Sequence, residues 1–471
     1  MSTPPQVAVI GGGISGLSCA YRLQKLGASV LLLETHDRAG GLIGTVEKNG
    51  FRFESGPQSF LGAPQVLELV RDLGLEGKLL KADPRAPRYV LVRGRLRAVP
   101  MSPPAILTSS LLSISSRYRI LTEALHRSQP PNLEESVADF VRRKFGHEIL
   151  EYLVAPFVSG VYAGDPEMLS LKSAFPSLDQ WERQYGSVIR GAMGARKGQA
   201  DPRPGLCSFS GGFRSLLDGF TSALGASLVP NTRVETIERN DGDATSGFTL
   251  QLLHGLQRET VSVTAIVVAA PAYAAGHFLD GISPHLARTL SGVPYAPVAV
   301  VGMGFNRLQV GNSLAGFGVL IPRKEGIRTL GTVWNSSLFP CCAPNGSVLV
   351  TSFVGGATDP EIVEKNADFI GEIVEEEIGK VLQISGAPVE RHIWRYGKAL
   401  PQYNLGHGQI VEGVRAEAAK LPGLFLVGNY LDGPSIGDCI DLSNRTAGAV
   451  RSFLAGDRGE AGLNAGTRAT S

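Results

Sequence analysis

Residues 7–17, VAVIGGGISGL, constrain this chain more than any other stretch. Four small apolar residues, Val7 to Ile10, read as a short buried strand of a parallel sheet. Gly11, Gly13 and Gly16 then match G-x-G-x-x-G. Residues 15–26 have helical spacing, with Leu17, Ala20, Tyr21 and Leu23 on one face and Gly27 as the stop. Residues 28–33 read as a second buried strand, and Glu34 follows it. Each glycine has a physical reason in such a unit. Gly11 permits the tight turn, Gly13 lets the backbone approach a pyrophosphate, and Gly16 lets helix and strand pack closely. The helix start offers free N–H groups and a dipole worth about 0.3–1 kcal/mol to an anion. Glu34 is placed to accept hydrogen bonds from ribose hydroxyls. The unit is expected to hold a dinucleotide through Gly11, Gly12, Gly13, Ile14, Ser15, Gly16 and Glu34.

Length and composition bound the rest. A chain of 471 residues allows two or three domains at about 150 residues each. A hydrophobic fraction of 43% against 19% charged residues is globular, and a net charge of +2 is too small to favour nucleic acid. The five cysteines, Cys19, Cys207, Cys341, Cys342 and Cys439, show no CxxC and no zinc-type His spacing. They are expected to be reduced thiols in a reducing compartment, and a cytoplasmic location follows. The N-terminal MSTPPQ lacks a basic stretch with an apolar core, so no signal peptide is expected. No uncharged apolar run reaches the length of a spanning helix. The best candidate, residues 263–275, is interrupted by Pro271 and reads as a buried strand entering a loop.

After Glu34, THDRAGG supplies Arg38 with Gly40 and Gly41, a second glycine turn carrying a cation near the pyrophosphate. Residues 51–59, FRFESGPQS, read as a strand and a turn at Gly56-Pro57. The order GxGxxG, E-x-x-x-R-x-G-G, F-E-x-G-P resembles the N-terminus of the flavin-dependent amine-oxidase-like superfamily, which implies non-covalent FAD. On that resemblance Arg38, Gly41, Leu42, Gly56, Pro57, Gln58 and Ser59 join the cofactor contacts. Near the other end, LFLVGNYLDGPSIGDCIDLSNRTAGAV (residues 424–450) reads as a strand, a glycine turn and an amphipathic helix over 438–454. Flavin reduction puts negative charge on the N1–C2=O edge, and a helix start stabilises it. The resemblance adds Gly428, Ile436, Gly437 and Asp438 here. It also places Val234, in NTRVETIERN, beside the adenine, and Trp394 against the cofactor.

The middle of the chain is expected to be composite. SFSGGFRSLLDGFTSAL leads from a turn into a helix with Phe213, Leu216, Leu217 and Phe220 on one face. RYVLVRGRLRAVP (residues 88–100) reads as a hairpin with Gly94 near the turn, and residues 101–190 are mostly helical by pattern. Within them, Leu and Ile clusters lie beside Arg117, Arg119 and Arg127. Two readings stand for this basic apolar stretch: a helix in a membrane interface, or a core helix with a solvated basic face. Residues 190–205 read as a mobile loop. The fold class is α/β: a Rossmann-like FAD-binding domain (1–82, 213–276 and 415–460), a mixed-sheet substrate domain (83–92, 191–212 and 277–414) and an inserted helical domain (93–190). Residues 461–471 are expected to be a flexible tail.

Four further segments carry a closer resemblance, to the family of oxygen-dependent protoporphyrinogen oxidases. They are SGVYAGDPEMLSLKSAFPSL (159–178), GFGVLIP (316–322), LGTVWNSSLFP (330–340) and LPQYNLGH (400–407). The resemblance implies a six-electron oxidation of protoporphyrinogen IX to protoporphyrin IX in haem biosynthesis, in three hydride transfers from meso carbons to flavin N5. Pyrrole protons leave to solvent, enamine–imine shifts separate the cycles, and O2 reoxidises the flavin. Phe317, Leu320, Val333 and Phe353 match positions that sandwich the macrocycle. Gly160 matches a position where a Cβ would crowd it. Arg88 matches the propionate partner, a charged hydrogen bond of roughly 1.5–3 kcal/mol. Arg95 and Arg97 rival it while the hairpin register is open. No catalytic histidine is expected, and His392 and His407 read as structural. The expected partners are the porphyrinogen, a membrane surface touched peripherally on its cytoplasmic face, and a second copy in a homodimer. Three alternatives stand beside this. A flavin amine oxidase would carry an aromatic where Pro434 stands, and covalent flavin would need Cys439 in a Gly-Gly-Cys turn. A coproporphyrinogen oxidase would use the basic residues of 190–205. A nucleotide-binding scaffold without turnover would have an obstructed pocket.

Overall fold

A computed structural model describes residues 5–128, 130–197, 205–240 and 247–456. Strand β1 (Val7–Ile10), helix α1 (Ile14–Lys25) and strand β2 (Val30–Leu33) form the N-terminal unit. Two hairpins follow, β3–β4 (Thr45–Lys48, Phe51–Glu54) and β5–β6 (Arg88–Val92, Arg95–Ala98). A helical stretch then contains α2 (Ile114–Thr122), α3 (Val137–Lys144), α4 (Ala155–Tyr162) and α5 (Val188–Lys197). The chain continues through α6 (Arg214–Leu224), β7 (Leu228–Val229), β8 (Thr232–Arg239), β9 (Ala265–Val268) and α7 (Ala272–Leu279). Next come β10 (Tyr295–Asn306), β11 (Gly318–Leu320), β12 (Thr329–Val333), β13 (Ser347–Gly355), α8 (Ala367–Leu382) and β14 (Glu390–Pro401). Strand β15 (Leu424–Leu426) and helix α9 (Ile436–Leu454) close the described chain.

Two sheets organise these elements. The first is all parallel, in the order β7-β2-β1-β9-β15. Its central strands are buried along their whole length because helices lie against them, which is why β1 and β9 read as unbroken apolar runs. The strand order reverses at β1, so the crevice for a ligand opens at the carboxyl ends of β1 and β9. The second sheet is mixed, in the order β14-β10-β13-β12-β11-β5-β6, with only β11 and β5 parallel. Ile370, Val374, Ile378 and Leu382, four residues apart on α8, cover one face by packing with Val301, Met303, Val319, Val350 and Val354. Alternate residues of the same strands point to the opposite, front face. Helix α4 and strand β4 approach that front face.

The structure revises several expectations. Residues 263–275 enter helix α7, not a loop, because Pro271 serves as its N-cap. The first part of 190–205 is the helix α5, and residues 198–204 lie outside the described residues. The expected boundary at residue 92 falls inside the β5–β6 hairpin, whose second strand stays in the mixed sheet. Residues 206–209 pair with Phe60–Leu61 and Leu79–Lys81, and so join the N-terminal segment. The expected tail at 461–471 lies outside the described residues. No helix among the described residues is long and apolar enough to cross a membrane. On α2 and the turn after it, Ile114, Tyr118, Leu121 and Leu125 recur at helical spacing and are exposed.

Candidate active site

The glycine turn divides its labour as its spacing implies. Gly11 has φ +108°, and a Cβ there would sit 3.0 Å from the Ala269 backbone. A Cβ on Gly16 would lie 1.8 Å from the Gly11 carbonyl oxygen, so only glycine lets helix α1 start so close to the turn. A Cβ on Gly13 meets nothing within 4 Å. No protein atom fills the space over that backbone, and α1 has neither a side-chain cap nor an acidic residue in its first turn. Its first N–H groups, at Ile14 and Ser15, therefore point at an anion's place. Glu34 is buried and accepts the Gly12 N–H at 2.7 Å and the His36 N–H at 2.8 Å. The His36 ring Nδ1 also meets this carboxylate at 2.8 Å, so of about four acceptor sites one remains for a ribose hydroxyl. Val234 stands on β8, which starts where the Thr232 N–H donates to the Glu34 carbonyl.

The second glycine turn locks onto the first. The Gly40 N–H donates to the Gly12 carbonyl at 2.7 Å, and a Cβ on Gly41 would reach the Gly13 Cα at 3.4 Å. Arg38 donates to the Ile43 carbonyl at 2.8 Å and, with Ser55 and Trp394, lines a cavity of about 420 Å³. The Leu42 carbonyl accepts from the Ser55 hydroxyl and would lie 2.5 Å from a Cβ on Gly56. Gln58 is buried. Its amide donates to the Glu54 and Gly56 carbonyls, and its oxygen accepts from Asn335 at 2.7 Å. The turn Gly56 to Ser59 is thus tied to the mixed sheet, and Gln58, its amide committed, can offer a cofactor chiefly backbone groups.

Both helix starts that the sequence singled out, hundreds of residues apart, lie side by side. The Ser443 hydroxyl donates to the Ser15 carbonyl at 2.9 Å, and the Cys439 thiol meets the Ser15 side chain. Gly428 follows β15, and a Cβ there would strike the Tyr430 ring. Asp438 stands in the first turn of α9. Its carboxylate accepts from the Ser435 N–H and hydroxyl as a capping box for α9, so the side chain is engaged in the cap. Ile436 and Gly437 open the helix beside it. Pro434 stands in the turn, and Cys439 is buried.

Ladder register assembles the other half. Partners across a sheet share a face. Trp394, Val300, Phe353, Gly331, Leu320 and Val90 are successive partners across six strands. The next row holds His392, Gly302, Thr351, Val333, Gly318 and Arg88. Leu320, Val333, Phe353, Arg88 and Trp394 therefore stand together on the front face. Phe317 joins them from the loop before β11, with its ring 5.6 Å from the Arg88 guanidinium carbon. Gly160, on α4, closes the slot: a Cβ there would lie 2.6 Å from a Leu320 methyl. Arg95 does not join this group. It pairs with Val92 beside the turn, beyond the last residue that β11 gives to the ladder.

Sequence reasoning did not single out Phe157 and Val161, exposed apolar residues four apart on α4 that flank Gly160 in sequence. Their signal was helical spacing about a residue already under suspicion. It also left the hairpin register open. The turn is two residues, Arg93 and Gly94, both at positive φ (+52° and +70°), and such a turn fixes the register. Burial pushes His407 down to about 4, so it is neutral, and its ring stacks on Tyr403 at 4.3 Å. Burial also lowers His392. Glu54, against Thr45 and the Phe213 N–H, is pushed up to about 7 by burial.

The chain matches the model of the flavin containing amine oxidoreductases over residues 14–451. A chloroplastic protoporphyrinogen oxidase of Nicotiana tabacum is 36% identical over 472 residues, covering 95% of this chain and 85% of that protein. A coproporphyrinogen III oxidase of Bacillus subtilis (strain 168) is 32% identical, covering 95% of this chain and 98% of that one. A crystal structure from Exiguobacterium sp. 255-15, provisionally named a protoporphyrinogen oxidase, superposes with a TM-score of 0.81 at 24% identity, over 96% of this chain and 99% of that one. That likeness establishes the fold. With the family model covering most of the chain and relatives above 30% identity over nearly all of it, the chain belongs to the flavin-containing amine oxidoreductase family, among its porphyrinogen oxidases.

Proposed function

We propose that the protein oxidises protoporphyrinogen IX to protoporphyrin IX in haem biosynthesis, with non-covalent FAD and with O2 as the final acceptor. The observation that carries this is the one-sided charge of the front face. Arg88 sits at the β5 end of its row, whose far end is Gly302 and His392, while Phe353, Val300 and Trp394 form the far, apolar end of the adjoining row. Protoporphyrinogen is apolar except for two propionates on one edge, and that outline suits the slot. Coproporphyrinogen carries four propionates, and its far pair would meet the apolar end. An unpaired buried carboxylate there costs several kcal/mol.

FAD, when bound, supplies the hydride acceptor. The vacant space over Gly13, the uncapped start of α1 and the converging start of α9 fit its pyrophosphate and ring edge. Glu34, Arg38 and the turn Gly56 to Ser59 would hold it, with Val234 and Trp394 beside it. The protein's part in the reaction is placement. Phe317, Leu320, Val333 and Phe353 hold the macrocycle flat and exclude water, and Gly160 leaves room for its thickness. Arg88 anchors a propionate. No histidine takes a proton, so pyrrole protons leave to solvent. Pro434 in the closing turn leaves no aromatic there for an amine cage. The exposed stripe Ile114, Tyr118, Leu121 and Leu125, with basic residues nearby, rests on a membrane that supplies the apolar substrate.

The test is direct. The purified holoprotein is given each porphyrinogen under air, and porphyrin fluorescence is followed. Protoporphyrinogen is the expected substrate, and turnover of coproporphyrinogen alone overturns the assignment. Arg88→Ala should raise KM with a smaller effect on kcat, and an unchanged KM removes Arg88 from the slot.

A further inference from the structure

The row that contains Leu320 and Phe353 does not stop at Val90. Val90 pairs with Arg97 on β6, so Arg97 is the seventh residue of that row and faces the same side. Arg88 precedes Val90 by two positions and shares its face. Arg88 and Arg97 are therefore diagonal neighbours across the hairpin, with backbones roughly 7–8 Å apart. Neither guanidinium has a carboxylate partner among the described residues. Arg97 is half-buried, and its Nη1 donates to the neutral Ser110 hydroxyl at 3.3 Å. Arg88 lies over the Phe317 ring. Other arginines have carboxylate partners: Arg143 pairs with Glu135 and Glu182, and Arg328 with Asp359. The Ser110 contact also fixes where Arg97 can reach. Residue 110 lies in a segment whose Ser109 and Leu112 carbonyls accept from Arg117.

We infer that Arg97 is a second carboxylate anchor, and that Arg88 and Arg97 together form a fork for the two propionates on neighbouring pyrroles of one macrocycle. This rests on the functional reading above. Two like charges on one face repel each other, and two carboxylates at the same spacing relieve that repulsion and pair both forks. Arg95 has no such place, since it lies one step farther out along the same face. The fork also determines which edge of the macrocycle points away from the flavin, because both propionates must lie toward β5 and β6.

The experiment compares Arg97→Gln and Arg97→Lys in the full-length holoenzyme, with protoporphyrinogen IX and with its dimethyl ester. Arg97→Gln should raise KM for the diacid about ten-fold, in line with the loss of one charged hydrogen bond, with a much smaller change in kcat. KM for the diester should hardly move, and Arg97→Lys should recover part of the loss. An unchanged KM for the diacid, or equal shifts for diacid and diester, overturns the inference. Should Arg97→Gln fail to fold, the wild-type enzyme still decides: both monomethyl ester regioisomers must bind more weakly than the diacid, and one isomer binding as tightly as the diacid refutes a fork. Binding of protoporphyrin IX and its dimethyl ester, read by quenching of protein fluorescence, separates this from the functional reading. A holoenzyme without protoporphyrinogen turnover refutes the reaction, whereas Arg97→Gln binding the diacid as wild type does refutes the fork.

Discussion

Gly13 and Gly16 occupy the same motif, yet the structure gives them opposite tasks, and two alanine substitutions separate them. In Gly16→Ala the new methyl would lie 1.8 Å from the Gly11 carbonyl oxygen and 3.1 Å from the Ala269 methyl. The first of these is backbone and cannot turn aside. Overpacking of this kind costs about 1–3 kcal/mol or more, offset by about 1 kcal/mol from replacing a helical glycine. A net loss of about 2 kcal/mol is expected for the apoprotein. In Gly13→Ala the methyl meets nothing within 4 Å, and φ −69° with ψ 178° suits any residue. The loss of an N-cap glycine costs about half a kcal/mol. Apoprotein stability should therefore stay near wild type while FAD affinity falls at least ten-fold, since the methyl takes the cofactor's space. Urea midpoints of both apoproteins and FAD titration by flavin fluorescence provide the measurements. A Gly13→Ala protein that binds FAD as tightly as wild type would refute the assignment of that space.

Glu54 yields a pH effect. Burial raises its folded pKa to about 7, above the ordinary 4.5, so its contribution to stability is full below pH 4.5 and is lost as pH rises through 7. Glu54→Gln should leave stability near wild type at pH 5 and raise it by about 2–3 kcal/mol at pH 8.5, and urea midpoints that differ equally at both pH values would contradict this. For the exposed stripe on α2, Ile114→Glu with Leu125→Glu should abolish co-sedimentation with anionic lipid vesicles and leave turnover in detergent intact. Vesicle binding equal to wild type would remove the membrane from the account.

The parallel sheet was legible because its signals are local. Val7 to Ile10 is apolar without alternation, Gly11 to Gly16 admits few other turns, and Gly27 stops the helix. The closing strand and helix at 424–454 were legible for the same reason. Their adjacency to α1 was not, because the Ser443–Ser15 contact spans 428 residues and carries no sequence spacing of its own. Phe317, Leu320, Val333 and Phe353 came from resemblance. Residue types alone leave them indistinguishable from core residues; ladder register shows that Leu320, Val333 and Phe353 share a face, and the Arg88 contact adds Phe317. The cap role of Asp438 was not legible, because an acidic residue at a helix start can serve a ligand or a cap, and the cap depends on Ser435 three residues before. Residues 190–197 were misjudged because Gly191 and Gly194 suggested a loop. Gly191 instead packs on the Trp181 ring, where a Cβ would come within 2.2 Å.

Strand β4 ties the turn Gly56 to Ser59 to the rows that carry Leu320 and Phe353, and a role in setting their spacing is open to test. Gly302 and Gly304 have no side chains on the front face of β10, and Phe53 and Phe51 enter the two gaps. Glu54, next along, accepts the Phe213 N–H at 3.1 Å, and Gln58, four residues on, meets Asn335. Strand β4 is thereby pinned to the mixed sheet by its aromatics and to α6 by its carboxyl, and the turn Gly56 to Ser59 has little freedom to drift. A Cβ on Gly302 would lie 2.6 Å from a Phe53 ring carbon, and Phe53, buried against the His392 ring at 4.6 Å, has no rotamer into solvent. Gly302→Ala should move β4 outward and carry the flavin turn with it, while Arg88 and Leu320, on strands far across the sheet, stay in place. Hydride transfer is steep in distance, and a misplacement of about 1 Å can cost about a hundred-fold in rate. The expected result is a kcat lowered by about ten-fold to a hundred-fold, with KM nearly unchanged and FAD retained. Single-turnover reduction of the flavin under anaerobic conditions measures the step directly. A Gly302→Ala enzyme that reduces its flavin at the wild-type rate would show that β4 does not set the spacing.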